Sequence, residues 1–260
     1  MSALDIPRKT KVMEGVAPDA IPYAQLMRDQ EPVILKDVAR DWPLVQHGLK
    51  SPDAAMDYIA RFYQGRPIVE YRCAPGEGGR YFYTDAVDGF NFERGRVPLD
   101  EFFTHIREAM AKRTGASAYV GSTDLGIFFP GLRDENDLVL NDAMFDSHAP
   151  LVSIWMGNHT IASAHYDMSH NLACCMVGKR TFTLFPPDQV ANLYPGPLEP
   201  TPGGQVVSMV DFREPDLDRY PRFRQAMAAG QVAELEPGDV LFYPALWWHN
   251  VEGFGDFTAM

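Results

Sequence analysis

The second half of this chain is a succession of short strand-like segments, and this pattern restricts the possible folds more than any other feature. From Ser117 onward, short apolar runs alternate with turns rich in Gly, Pro and Asp. Many short, evenly spaced strands are typical of a β-sandwich or a β-barrel. We therefore predict a mainly β core over residues 117–260. Its strands are predicted at residues 117–121, 151–157, 162–167, 171–177, 180–185, 231–235, 240–243 and 247–252.

The first half of the chain has a mixed pattern. Residues 1–116 are predicted to be a part with helices and strands that belongs to one single domain over residues 1–260. Residues 1–20 are polar and predict a loosely held arm. Within the β core, residues 195–230 predict a helical insertion, and Gly178-Lys179 predicts a turn. The remaining predictions are helices at 21–29, 54–63 (with Ser51 as its N-cap), 98–112 and 215–229, and strands at 32–36, 68–73 and 80–84.

Charge excludes one class of partner. The 260-residue chain has a formal net charge of -12, whereas nucleic-acid binding needs a basic surface. A basic protein or peptide would be tolerated, and solubility alone also accounts for an acidic surface. No apolar run approaches the ~18–20 residues of a membrane span, and the N-terminus lacks the apolar stretch of a signal peptide. The cysteines, Cys73, Cys174 and Cys175, do not form a disulfide framework, so we expect a cytoplasmic protein.

His165, Asp167 and His249 are the main candidates for chemistry. Side chains at positions i and i+2 of a strand point to the same face, so the predicted strand presents His165 beside Asp167 and turns Tyr166 away. His249 lies on a later predicted strand that can come alongside. Two histidines and one carboxylate, with open positions opposite, suit non-haem Fe(II) oxygenases. A His-x-Asp pair is common in unrelated chains, however, and a purely structural pair remains an alternative at this point.

A series of motifs surrounds these residues, in the order Ala164-His165-Tyr166-Asp167, Asn171, Gly178-Lys179-Arg180, Leu184-Phe185-Pro186-Pro187-Asp188, Leu193-Tyr194-Pro195, Val210-Asp211-Phe212, Pro237-Gly238-Asp239-Val240-Leu241 and Trp247-Trp248-His249. Together they resemble the JmjC and cupin-like family of Fe(II)/2-oxoglutarate oxygenases. Within it, the chain looks most like the branch that contains the asparaginyl hydroxylase acting on hypoxia-inducible factor. The resemblance covers residues 117–254, with weaker similarity at residues 32–43.

The resemblance implies a fold and a site. The fold would be a double-stranded β-helix, or jelly roll, of the cupin and JmjC type, with N-terminal helices and a helical insertion. His165, Asp167 and His249 would bind Fe(II), and the keto-acid end of 2-oxoglutarate would chelate the metal. The basic residue that holds the distal carboxylate in this family falls on Arg180, where the hydroxylase has Lys, and Lys179 is the second candidate. Cosubstrate contacts are expected at two further positions, Asn171 and Tyr119.

The sequence departs from the family pattern at two points. The family often has Thr three residues before the first ligand His, and this chain has Ala162, which removes one hydroxyl from the expected cosubstrate pocket. The chain also ends at Met260 in what looks like the start of the final strand. The sequence leaves open whether it is a fragment, and a missing strand would leave a barrel edge unpaired. A family asparagine beyond this point has no counterpart to assign.

These observations favour an Fe(II)- and 2-oxoglutarate-dependent oxygenase, a hydroxylase of a protein side chain or a small molecule. Demethylation is chemically open, because hydroxylation of an N-methyl group leads to loss of formaldehyde. One alternative is a cupin-type metalloenzyme without 2-oxoglutarate, such as an isomerase with Zn(II) or Mn(II). Another is a non-catalytic cupin-like binding module. The sequence allows a homo-oligomer and does not identify the substrate.

Overall fold

The computed structural model describes residues 4–260, so the first three residues of the predicted arm lie outside the described part. The strands are β1 (Lys11–Met13), β2 (Val33–Leu35), β3 (Ile68–Cys73), β4 (Arg80–Tyr81), β5 (Phe92–Val97), β6 (Ser117–Asp124), β7 (Ser153–Gly157), β8 (Ile161–His165), β9 (Asn171–Cys174), β10 (Val177–Phe185), β11 (Gln231–Leu235), β12 (Val240–Tyr243) and β13 (Trp248–Ala259). The helices are α1 (Tyr23–Asp29), α2 (Pro43–Lys50), α3 (Pro52–Ala60), α4 (Leu99–Lys112), α5 (Leu125–Phe128), α6 (Leu132–Glu135), α7 (Met144–Ser147) and α8 (Phe223–Ala229). Short 3-10 helices lie at Pro75–Glu77 and Pro187–Asn192.

The strands form two sheets that enclose an apolar interior. One sheet has the order β1-β2-β12-β9, and the other has the order β11-β10-β13-β7-β6-β3-β5, with β8 paired to β13 and to β4. The sheets pack face to face, since one buried cluster contains side chains from both. Its members include Ile34, Ala173 and Leu241 from the first sheet and Phe182 and Ala233 from the second. The predicted mainly β jelly roll is confirmed.

Strand β13 is paired with other strands along both of its edges. It pairs antiparallel with β10 along one edge, and with β8 and then β7 along its other edge. The sequence predicted a strand that ends at residue 252, and this bound is wrong, because the strand continues to Ala259 and is paired on both sides.

Helices α2, α3 and α4 pack against the large sheet. Phe102 and Ile106 of α4 are fully buried with Ile59 of α3 and with Val120 and Phe257 of the sheet. The helical spacing of apolar residues in α4 therefore marks a core-facing surface. None of the helices within residues 4–260 is long and apolar enough to cross a membrane.

Three local predictions need correction. The N-terminal arm is held in place, since β1 pairs parallel to β2 and the Thr10 amide donates to the Val232 carbonyl at 2.9 Å. Gly178 is not a hairpin turn; its positive φ of 71° accompanies a bulge within β10. In the insertion, the helix begins at Phe223 rather than at the predicted residue 215. Residues 217–222 form turns and bends instead.

The start of α3 offers a direct test of the local sequence signals. Ser51 Oγ accepts a hydrogen bond from the Ala54 amide at 3.0 Å, and Pro52 occupies the first turn. Replacing Ser51 by Ala should lower the free energy of unfolding by about 1 kcal/mol, because this amide loses its acceptor. Urea unfolding measures the change. Ser51→Asp retains an acceptor and should lose much less, so equal losses in both variants would contradict the capping role.

Candidate metal centre

His165, Asp167 and His249 come together between β8 and β13. His165 and His249 lie directly opposite each other in the antiparallel pairing of these strands, and their ring centroids are 4.3 Å apart. Asp167 follows two residues after the end of β8. One ligand atom from each of the three residues lies within 4.8 Å of the others. The structure therefore brings together the three residues that the sequence proposed as ligands.

Both imidazole rings are held by backbone carbonyl groups. His165 Nδ1 lies 2.9 Å from the Ser163 oxygen, and His249 Nδ1 lies 3.0 Å from the Trp247 oxygen. A hydrogen bond from Nδ1 fixes the tautomer and leaves Nε2 free as a metal ligand. Burial, together with nearby His165, lowers the pKa of His249 well below its ordinary value. The ring is therefore neutral, which is the protonation state that binds metals.

The Asp167 carboxylate is oriented by amide groups. Its Oδ2 accepts from Asn171 Nδ2 at 3.2 Å and lies 3.5 Å from His249 Nε2. Its Oδ1 accepts from Gln205 Nε2, also at 3.2 Å. The intervening Tyr166 faces away and packs on Trp248 with ring centroids 5.0 Å apart, as strand alternation predicts.

Arg180 lies on the same interior face as His249. Along β10, Arg180, Phe182 and Leu184 alternate into the barrel, and they pair with Gly253, Val251 and His249 of β13. Gly253 leaves room for neighbouring hydroxyls, since a Cβ there would lie 3.0 Å from Thr160 Oγ1 and 3.2 Å from Thr258 Oγ1.

Arg180 has unused hydrogen-bonding capacity. The side chain is 3% exposed, and its Nη2 donates to Thr258 Oγ1 at 3.3 Å. Its Nε has no hydrogen-bond partner within residues 4–260. Burial lowers the pKa of the guanidinium, and the groups that oppose this shift are Cys175 and Tyr119 rather than a carboxylate. A buried cation without an acidic partner is costly unless a ligand supplies the negative charge.

Tyr119 lies near Arg180, and burial raises the pKa of its phenol above the ordinary range while the guanidinium opposes that rise. Its ring packs on Tyr81 with centroids 5.4 Å apart. Ala162, the position where the family often has Thr, packs against the interior apolar cluster. The hydroxyl beside Arg180 is that of Thr258.

Lys179 does not belong to this site. Strand alternation turns it to the outer face of the barrel, where it is exposed and forms an ion pair with Glu236 at 2.7 Å. The expectation that Lys179 is the second candidate for holding the distal carboxylate is therefore corrected.

Three site residues were missed from the sequence. The ring of Tyr243 packs against that of His249 at a tilt, with ring centroids 4.7 Å apart. Burial raises the pKa of the Tyr243 phenol. Alternation from buried Leu241 along β12 could have identified it. Thr258 and Gln205 had no comparable signal, because the sequence did not reveal the length of β13 or the path of the insertion.

The donor set fits a divalent transition metal. Two imidazoles and one carboxylate form a three-ligand cluster of the kind found in non-haem iron sites, and amide and carbonyl groups orient all three. Buried Arg180 provides a cationic counterpart for a carboxylate ligand in the same interior. Fold and site together define the class of jelly-roll proteins, here with a candidate metal centre.

Comparison with known proteins agrees with this class. The sequence profile of the cupin-like domain matches residues 18–260, so the chain belongs to the cupin-like, JmjC-type domain family. The family resemblance inferred from the motifs is confirmed.

Several curated proteins are similar to this chain. Human HSPB1-associated protein 1 is 36% identical over 248 residues, covering 90% of this chain and 47% of that protein. Lysine-specific demethylase 8 of Xenopus tropicalis is 27% identical over 227 residues, covering 85% and 45%. tRNA wybutosine-synthesizing protein 5 of Danio rerio is 28% identical over 180 residues, covering 62% and 50%. The chain therefore spans about half the length of each of these relatives.

Proposed function

We propose that this chain is an Fe(II)- and 2-oxoglutarate-dependent oxygenase that acts as a hydroxylase. One observation carries the proposal: the His165, Asp167 and His249 cluster shares its interior face with Arg180, a buried cation that has no acidic partner within residues 4–260. A metal site alone would not need such a cation. A dicarboxylate cosubstrate that chelates the metal at one end needs it at the other.

The bound metal and 2-oxoglutarate would supply the oxidation, in which O₂ converts 2-oxoglutarate to succinate and CO₂ and one oxygen atom enters a substrate C–H bond. The chain's own residues hold and orient these reactants. The two Nε2 atoms and one Asp167 oxygen would bind the metal and leave three positions open. The Arg180 guanidinium and the Thr258 hydroxyl would hold the distal carboxylate.

The residues around the proposed cosubstrate site favour retention of 2-oxoglutarate. Tyr119 and Asn171 would border the site, and the apolar side chains of Phe182, Leu184 and Val251 exclude water from the interior. In a site of low dielectric constant, the ionic contact of Arg180 with a carboxylate is stronger than in water.

The substrate class remains a protein side chain or a small molecule. The names of the relatives refer to a lysine demethylase, a protein associated with HSPB1 and a tRNA-modifying protein. A net charge of -12 favours a basic polypeptide over tRNA among these. Demethylation would use the same hydroxylation of a C–H bond, on an N-methyl group.

The three cysteines, Cys73, Cys174 and Cys175, are free thiols. Free thiols suit a reducing compartment, and they support the proposal of a cytoplasmic location.

Anaerobic titration of the Fe(II)-loaded protein with 2-oxoglutarate tests the proposal. We expect a visible metal-to-ligand charge-transfer band that saturates with added cosubstrate. The band should be absent from His249→Ala, which lacks one metal ligand. If the wild-type protein binds iron and no band forms, the proposal fails and a cupin metalloenzyme without 2-oxoglutarate takes its place. A protein that binds no metal after reconstitution would instead be a binding module.

A further inference from the structure

The two oxygen atoms of Asp167 have different environments. Oδ2 faces the histidines, 3.5 Å from His249 Nε2, and also accepts from Asn171. Oδ1 is held by Gln205 Nε2 at 3.2 Å. The carboxylate therefore presents one oxygen to the metal cluster, while the other is engaged by the insertion.

Gln205 reaches Asp167 on a loop whose base is fixed to the barrel. In this loop, residues 196–207, the Gly196 amide donates to the Val207 carbonyl at 2.9 Å. Immediately after it, the Ser208 amide donates to the Ala164 carbonyl at 2.7 Å, next to the ligand His165. Ser208 is fully buried, and its hydroxyl donates to the Leu193 carbonyl at 2.6 Å. The end of the loop that carries Gln205 is thus anchored to β8 beside the metal ligands.

Hydrogen bonds also hold the rest of the 196–207 loop in place. The Tyr83 hydroxyl donates to the Pro200 carbonyl at 2.8 Å, and the Gly204 amide donates to Thr201 Oγ1 at 2.8 Å. Gly204 has a φ of 101°, which a residue with a side chain rarely adopts, and this turn directs the next residue back toward Asp167. The loop geometry therefore fixes the position of the Gln205 amide.

We propose that Gln205 is a positioning residue that keeps Asp167 bound to the metal through a single oxygen. A carboxylate can bind a metal through one oxygen or through both. If Oδ1 were free to turn toward the metal, it would occupy one of the coordination positions that the cosubstrate and O₂ need. The Gln205 amide holds Oδ1 away from the cluster, and Asn171 steadies Oδ2. The inference rests on the proposed function for its catalytic consequence, but the carboxylate binding mode can be measured without it.

The test compares Gln205→Leu with Gln225→Leu. Leucine has a similar size and cannot donate a hydrogen bond, and Gln205 is exposed, so the variant should fold normally. Gln225 is exposed on α8 of the same insertion and is the matched control. Both are loaded with Zn(II), and the infrared spectrum of the metal-free protein is subtracted from that of the loaded protein. The separation between the antisymmetric and symmetric carboxylate stretches then distinguishes one-oxygen from two-oxygen binding.

We expect a wide separation in the wild-type protein and in Gln225→Leu, and a narrower one in Gln205→Leu. The same separation in all three proteins would overturn the inference. In the Fe(II) protein, Gln205→Leu should weaken 2-oxoglutarate binding by at least about tenfold, and unchanged binding would also overturn it. If the wild-type protein forms no charge-transfer band, the proposed function fails, and the infrared comparison alone decides the role of Gln205.

Discussion

Replacement of His165 or Asp167 by Ala will abolish iron-dependent turnover while leaving the fold intact. Both side chains are only half-buried where β8 ends, so truncation removes little core packing. Each variant leaves two ligands in place of three. Removing an outer partner of a metal ligand already costs 10–100-fold, so loss of a ligand should reduce activity by more than about a hundredfold. Succinate formation from 2-oxoglutarate, with and without added Fe(II), measures the effect.

His170→Ala is the matched control for these variants. His170 is exposed near the same site, but its Nδ1 accepts from the Ala245 amide at 3.1 Å, and it is not part of the three-residue cluster. Its removal should leave Fe(II) affinity unchanged. Turnover that persists in both His165→Ala and Asp167→Ala would remove the assignment of the metal centre, whatever the control shows.

Strand periodicity is the reason why so much of the fold and of the site could be predicted. The bounds of β11 and β12 agree with the predicted strands, because apolar runs there end at turn residues such as Pro237 and Gly238. The positions of His165 and His249 follow from the same rule. Once both strands are recognised, strand pairing brings the two rings next to each other.

Other features could not be predicted because tertiary context determines them. Strand β5 is rich in charged residues and lies at the end of its sheet, where a strand needs no apolar pattern. β1 is only three residues long and gains its structure from pairing with β2. The contact of Gln205 with Asp167 depends on the path of a loop, and loop paths leave no periodic signal in the sequence.

Arg180→Met separates cosubstrate binding from stability. A hydrogen bond to a charged group contributes about 1.5–3 kcal/mol, so loss of the guanidinium should weaken 2-oxoglutarate binding by roughly 10- to 150-fold. Lys179→Ala is the neighbouring control, since Lys179 points to the outer face and pairs with Glu236. Its affinity for 2-oxoglutarate should equal that of the wild-type protein. Weakened binding in Lys179→Ala alone would move the anchor to that residue.

The same variant should make the protein without cosubstrate more stable. Arg180 is buried, and its Nε has no partner among the described residues 4–260. A ligand carboxylate would offset the cost of removing the charge from water. Methionine fills a similar volume without that cost, so the Tm of the ligand-free protein should rise. In the wild-type protein, 2-oxoglutarate with metal should raise Tm, because a ligand that binds only the folded state stabilises it, and this increment should be lost in Arg180→Met. A lower Tm in ligand-free Arg180→Met would mean that Arg180 supports the barrel itself, and the buried cation would no longer be an argument for a carboxylate cosubstrate.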